Sequence, residues 1–442
     1  MSTPRETKVQ PTTPPSSVEA EGEADATVMS ESSLEATSGS LGDYLGAWGK
    51  RIRAGESGVL PVLVGLVIII VIFQTQQSEF LSAGNLTVLL QQAAAVVLLG
   101  MAEVFVLLLG EIDLSVGFVG AIGGTITVIL TSTPHTLPWW VGVLAGLAAT
   151  ALIGAFQGWL ITWLRLPSFV VTLAGLLGFN GVLLLLINKA GGSAGGTIAI
   201  SNSVILGIVN SNMAPVAGWI VLAACVLVFA LVTVFGDRSR RRAGLATPPF
   251  SLAVAKIVLF AVAGVVLVLV CNTNRGVGLI PLSGVPCVVP VVLAILLAWT
   301  VLLGRTRFGR YVYAIGGNAE AARRAGINVS RIRLACFVLC SMTGGMAGIV
   351  YASRLGSISN NVNGGQLVLY AVAAAVIGGT SLFGGRGKML HALLGGMIIA
   401  TIANGMGLIG LDAATQYIVT ALVLLAAVIV DAVARRGQSV TA

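Results

Sequence analysis

The sequence predicts an all-α polytopic membrane protein with about twelve transmembrane helices, and three observations predict it. Charged residues make up only 10% of the chain and hydrophobic ones 56%, whereas a water-soluble domain carries roughly 25% charged residues. Apolar runs of about the 20 residues that span a hydrocarbon core recur between residues 59 and 432. The basic residues between these runs fall in alternate gaps, as the positive-inside rule requires of cytoplasmic loops.

Breaks at Pro, Gly and charge clusters place the spans near 59–78, 86–109, 112–131, 139–163, 168–187, 216–235, 251–271, 285–303, 331–352, 366–381, 389–408 and 415–432. The segment 366–381 is the shortest and runs into "GGTSLFGGRG". With the N-terminus inside, Lys50, Arg51 and Arg53 flank the first span. Arg165 follows the fourth, Arg238 to Arg242 the sixth, and Arg305, Arg307, Arg310, Arg323, Arg324, Arg331 and Arg333 the eighth. Arg386 and Lys388 follow the tenth, and Arg435 and Arg436 the twelfth. The outer gaps keep little beyond Lys189, Arg275 and Arg354. A count wrong by one would break this parity, so both termini are expected in the cytoplasm.

The first 43 residues hold eight of the 17 acids and only two bases, Arg5 and Lys8. Rich in Pro, Ser, Thr and Glu and without an apolar run, residues 1–45 are expected to be a disordered cytoplasmic tail and not a signal peptide. Residues 50–436 form the expected transmembrane domain and 437–442 a short C-terminal tail. The bases sit between apolar segments, so topology accounts for them and nucleic-acid binding does not. Five Cys form no CxxC pair. Cys336 and Cys340 share a helix face, but two thiols make a poor metal site, and His135 and His391 are isolated. No metal site is expected.

Between the second and third spans stands "LGEIDLSVG", residues 109–117. Carboxylates are expensive in a bilayer, so this motif is a functional candidate. In one reading, Gly110, Glu111, Asp113, Ser115 and Gly117 shape a helix break that forms part of a gate. In the other, which the residues favour, Asp113 caps the next helix by accepting the backbone N–H of Ser115 or Val116, and Glu111 sits at headgroup level. Irregular backbone here needs protein or water partners in either case.

The inward loop 304–333 contains a second signal. Asn318 is a good N-cap and Gly326 a good residue to end a helix, with "AEAARRA" between them. Glu320 lies in the first turn and Arg323 and Arg324 in the last, matching the helix dipole. So short a helix is unstable alone. It is either a capped surface turn or an element presented for docking.

"YAIGGNAEAARRAGINVSRIRLACFVLCSMTGGMAGIVYASRLGS" resembles the cytoplasmic coupling region of the ribose/xylose-type sugar permeases of ATP-binding cassette importers. "GEIDLSVG", "PSFVVTLAG", "VIGGTSLFGG" and "TQYIVTALVLLAAV" resemble the same family, in the same order, over roughly residues 50–435. The extra apolar pair around "GDRSRRRAGL" is similar to the xylose permease subgroup. The resemblance implies a bacterial cytoplasmic-membrane subunit that works as a homodimer. Its partners would be a cytoplasmic ATPase using ATP and Mg²⁺, and an extracytoplasmic sugar-binding protein. It also implies that helix 318–325 is the coupling helix, with Asn318, Glu320, Ala321, Arg323, Arg324, Gly326 and Ile327 in the family's motif.

The chain itself lacks a G-x-x-x-x-G-K-[ST] loop. "FGGRGKM" has Met389 where Mg²⁺ binding needs a hydroxyl, so no cofactor and no ATPase activity are expected of it. An ion-coupled secondary sugar transporter is the alternative, with Glu103, Glu111 and Asp113 as its candidate acids and no Lys or Arg clearly placed mid-span to pair with them. A sugar route needs hydrogen-bonding groups more than charge. Thr125, Gln157, Asn180, Gln366, Ser381 and Asn404, with Ser115, are candidates by polarity alone.

Overall fold

The computed structural model describes residues 60–190, 196–244, 250–276 and 282–439. The expected acidic tail 1–45, the flanking bases Lys50, Arg51 and Arg53, and residues 440–442 lie outside the described residues. A helix stands over each of the twelve apolar segments. In chain order they include α1 (Leu60–Gln76), α2 (Ala83–Leu107), α3 (Val116–Thr131), α4 (Trp139–Trp163) and α5 (Ser168–Lys189). A strand β1 (Thr197–Ala199) and a short helix α6 (Ser203–Asn210) precede α7 (Pro215–Arg242), α8 (Phe250–Asn272) and α9 (Val288–Arg305). Then come α10 (Arg307–Gly317), α11 (Ala319–Arg324), α12 (Val329–Leu355), strand β2 (Ser357–Ser359), α13 (Gly364–Ile377), α14 (Met389–Ile409) and α15 (Ala413–Ser439). α15 thus continues into the stretch expected to be a tail.

Eight of these helices are long and apolar enough to cross a membrane, while 61–76, 116–131, 364–377 and 413–426 are shorter apolar helices. Three features lie outside what the sequence predicts. β1 pairs with β2 antiparallel, Ile198 opposite the buried Ile358. α6 is capped by Asn202, whose side chain accepts the N–H groups of Val204 and Ile205. α10 fills the first half of the loop 304–333, started by the Thr306 hydroxyl accepting from the Gly309 N–H.

The described residues form two units. The smaller, Ala223–Gly264, comprises the end of α7 with its arginines and the start of α8. There Phe229 stacks on Phe260 at 4.8 Å. The larger unit holds the other helices. In it α2, α12 and α14 are mostly buried, while α4 and α5 turn most of their surface outward, with Leu144, Leu152, Phe156 and Leu177 exposed. Such apolar outward faces suit lipid.

Hydrophobic burial does not drive helices together in lipid, so close backbone approach must. α3 and α12 cross where Gly120 and Gly124 meet Gly344 and Gly348. A Cβ on Gly348 would overlap the Gly120 carbonyl, and one on Gly124 would lie 2.7 Å from the Gly348 oxygen. Across the bundle, Val62, Leu66, Ile69 and Phe73 of α1 pack on Ile398, Ile402 and Met406 of α14.

Candidate functional site

Two elements at the same end of the larger unit are built by local signals. The first is the break between α2 and α3. Gly110 takes φ +76°, a conformation that a side chain disfavours. Its N–H bonds to the Leu107 carbonyl at 2.9 Å, and that of Glu111 to Val106 at 3.1 Å. This is the Schellman pattern that satisfies the last carbonyls of a helix. Beyond it Asp113, fully buried, accepts both the backbone N–H of Ser115 at 2.9 Å and its hydroxyl at 2.6 Å. The expected acceptance from Ser115 is therefore present, although Ser115 itself occupies the N-cap position of α3.

Around this turn several polar groups find partners on other helices, while Glu111 Oε2 and Gln157 Oε1 find no hydrogen bond among the described residues. The Gln157 amide of α4 donates to the Ser115 hydroxyl at 2.8 Å, and Cys340 of α12 approaches Asp113 at 3.6 Å. Thr172 of α5 reaches the Ile112 carbonyl at 3.3 Å. Gly117 is packed so closely that a Cβ there would collide with the Gly364 carbonyl. Glu111 is buried and pairs with Arg333 of α12 at 2.6 Å. This partner sits at a helix start, so the expectation of no Lys or Arg mid-span beside these acids is not touched by it. Arg333 stands near the start of α12, where charge counting assigns it to topology, and the break carries Glu111 to it.

Glu103 lies one turn before the end of α2, fully buried. Neither of its carboxylate oxygens has a hydrogen-bond partner among the described residues, and Asp113 is the acid that acts on it electrostatically. Cys336 and Cys340 are free and buried. Among the described residues no group of three or more His, Cys, Asp or Glu side chains could hold a metal ion.

The second element is α11. The Asn318 side chain accepts the Ala321 N–H at 2.9 Å, and Gly326 adopts φ +83°. The N–H groups of Gly326 and Ile327 then bond to Arg323 and Ala322, each at 3.0 Å, closing the helix with another Schellman pattern. Ala322 is buried, and Ala319 and Ile327 pack against the main core. Asn318, Glu320, Ala321, Arg323, Arg324 and Gly326 are exposed. Glu320 pairs with Arg323 at 2.7 Å and Arg324 at 3.4 Å. Of the seven motif residues, Ile327 alone is turned partly inward as an anchor. The α11 end is braced from below, for the tight approach of Gly316 to the Leu108 carbonyl leaves no room for a Cβ.

Of the polar residues chosen as a sugar route, hydrogen bonds bring two together. Gln157 joins Ser115. Asn404 instead exchanges amide hydrogen bonds with Asn85 at 2.9 and 3.0 Å, and the Thr125 hydroxyl bonds to Ala121 of its own helix. Gln366 binds the Tyr370 hydroxyl at 2.6 Å. The Ser381 hydroxyl accepts the Phe383 N–H within a turn, and Asn180 is half-buried on α5. Polarity along an isolated helix does not distinguish a group facing a route from one bonded to the next helix.

A family described as "Branched-chain amino acid transport system / permease component" matches residues 85–428. The chain belongs to this permease family. The permease is 35% identical over 378 residues to the xylose transport system permease protein XylH of Escherichia coli K12, covering 85% of this chain and 92% of that protein. To XylH of Haemophilus influenzae it is 35% identical, covering 86% of this chain and 98% of the relative. To the ribose import permease protein RbsC of Escherichia coli K12 it is 30% identical, covering 84% and 92%. No solved structure matches it. The permease is thus a multi-pass membrane protein, and its family function is that of a transport subunit.

Proposed function

We propose that this chain is the membrane-spanning subunit of an ATP-driven monosaccharide importer in a bacterial cytoplasmic membrane, translocating xylose or another pentose by alternating access. The relatives named for xylose and ribose transport support the substrate class. α11 carries the mechanistic reading. It is capped at both ends, held to the body by Ala322 and Ile327, and presents Glu320, Arg323 and Arg324 outward. A rigidly held charged helix transmits force better than a free loop, and a separate ATPase seated on it would supply that force. ATP and Mg²⁺ belong to that partner, since the chain lacks a phosphate-binding loop. A second permease copy and an extracytoplasmic sugar-binding protein complete the assembly, with α11 and both termini on the cytoplasmic side.

In this mechanism, closure of the ATPases pushes α11, and α10 and α12, which flank it, carry the movement into the bundle. The α2–α3 break lies directly in that route because Arg333 of α12 holds Glu111. The test is ATPase stimulation by the reconstituted permease. Glu320→Trp and Gly326→Trp are expected to abolish stimulation and uptake while leaving membrane insertion intact. Normal stimulation in both variants would remove α11 from the coupling role.

A further inference from the structure

α4 ends at Trp163 and the chain turns sharply: Arg165 takes φ +55°, an uncommon conformation for a residue with a side chain. Arg165 lines a cleft of about 630 Å³ together with Thr162, Arg323, Ser330 and Arg333. The charges around it are unequally satisfied. Arg323 is paired with Glu320, and Arg333 with Glu111. Arg165 makes no ion pair or hydrogen bond among the described residues, so its charge is unbalanced.

The outward face of α4 that leads to this arginine is aromatic. Phe156, Trp159 and Trp163 are all exposed and stack in series, with centroids 6.5 Å and 4.9 Å apart. Leu164 and Leu166 beside the arginine are exposed as well. Arg guanidinium groups and hydroxyls match phosphate oxygens. A soluble anion would account for these polar groups alone. The ladder of rings running from them along a lipid-facing helix calls for an apolar tail attached to the anion, and aromatic rings at a membrane interface sit at headgroup and upper-chain level.

We propose that this cleft binds an anionic phospholipid, its phosphate among Arg165, Ser330 and Arg323 and an acyl chain along Phe156, Trp159 and Trp163. The lipid ties the end of α4 to α11 and to the start of α12, which the protein's own hydrogen bonds do not do at Arg165. Juxtamembrane basic residues attract anionic lipid electrostatically; here the cleft and the ring stack add shape to that attraction.

The test uses the full-length permease in vesicles of phosphatidylcholine, with and without phosphatidylglycerol, reading retained lipid by native mass spectrometry. The wild-type protein is expected to retain phosphatidylglycerol over phosphatidylcholine. Arg165→Gln and Trp163→Ala are each expected to lower that retention, Arg165→Gln by roughly tenfold or more. Arg310→Gln, an exposed base on α10 outside the cleft, should leave it unchanged. Millimolar inorganic phosphate should not displace the lipid. Equal retention of both lipids by the wild-type protein, or unchanged retention in Arg165→Gln, overturns the proposal. Full displacement by free phosphate with no effect of Trp163→Ala also overturns it, in favour of a soluble-anion site. Should Arg165→Gln fail to insert, Trp163→Ala, shown to be folded by its thermal transition, decides instead: lowered retention supports the lipid site and unchanged retention overturns it.

Discussion

Arg333 on α12 stands 2.6 Å from the carboxylate of Glu111, and this pair joins the α2–α3 break to the helix that follows α11. Glu111 is buried and Arg333 about one-third exposed, with side-chain exposures of 9% and 32%. Removing one partner of a buried pair leaves the other charge uncompensated. Arg333→Gln is therefore expected to destabilise the protein by about 2 kcal/mol, discounted for the exposure of the arginine. Glu111→Gln should have a smaller effect, and adding it to Arg333→Gln should recover part of the loss. Thermal unfolding of the two single variants and the double variant measures this; strict additivity would mean that the two groups do not interact.

The crossing of α3 and α12 depends on the absence of side chains. Gly348→Ala places a methyl group on the Gly120 carbonyl and is expected to lose about 1–3 kcal/mol through overpacking. Gly178→Ala, where nothing lies within 4 Å of the added methyl, should be neutral or slightly stabilising. Parallel unfolding curves of the two variants compare them directly.

Asn85 and Asn404 form a closed amide pair between α2 and α14. Asn404→Leu orphans Asn85, and a loss of about 1 kcal/mol is expected, in line with interhelical hydrogen bonds in membranes. Asn85→Leu with Asn404→Leu should restore most of it, because replacing both partners leaves no unsatisfied group. A double-mutant cycle reads the coupling.

Asp412 caps α15 by accepting the Thr415 N–H and hydroxyl, each at 2.9 Å. These hydrogen bonds favour the charged form and hold its carboxyl below the usual value of 3.8. A depressed value in the folded state means that the cap contributes at and above the ordinary carboxylate range and is lost as pH falls through the lower, folded value. The protection factor of the Thr415 amide, its exchange relative to the intrinsic rate at the same pH, should therefore stay high at neutral pH and fall only in strong acid. In Asp412→Ala it should be low at both.

What can be read in the sequence is local. Asn318 and Gly326 mark the ends of α11 because N-cap and left-handed positions favour few residue types, and Asp113 finds Ser115 two residues away. The twelve apolar segments are legible because lipid imposes length and composition on a helix. The partners that define the site are not, because they meet across the fold. Arg333 looks like a loop charge, Asn404 like a route-lining amide, and β1 and β2 are three residues each, too short for any periodicity. Glu103 is visible as an acid in an apolar run, but its nearness to Asp113 depends on the turn at Gly110. Polarity shows which groups need partners, without showing which helix supplies them.

The most direct measurement of the transport role is sugar uptake into liposomes containing the purified permease, a cognate ATPase and a cognate binding protein, using labelled xylose. The expected result is uptake that requires ATP, both partners and an intact α11, with none from the permease alone under an ion gradient. Gradient-driven uptake by the permease alone, without ATP or partners, would contradict the account.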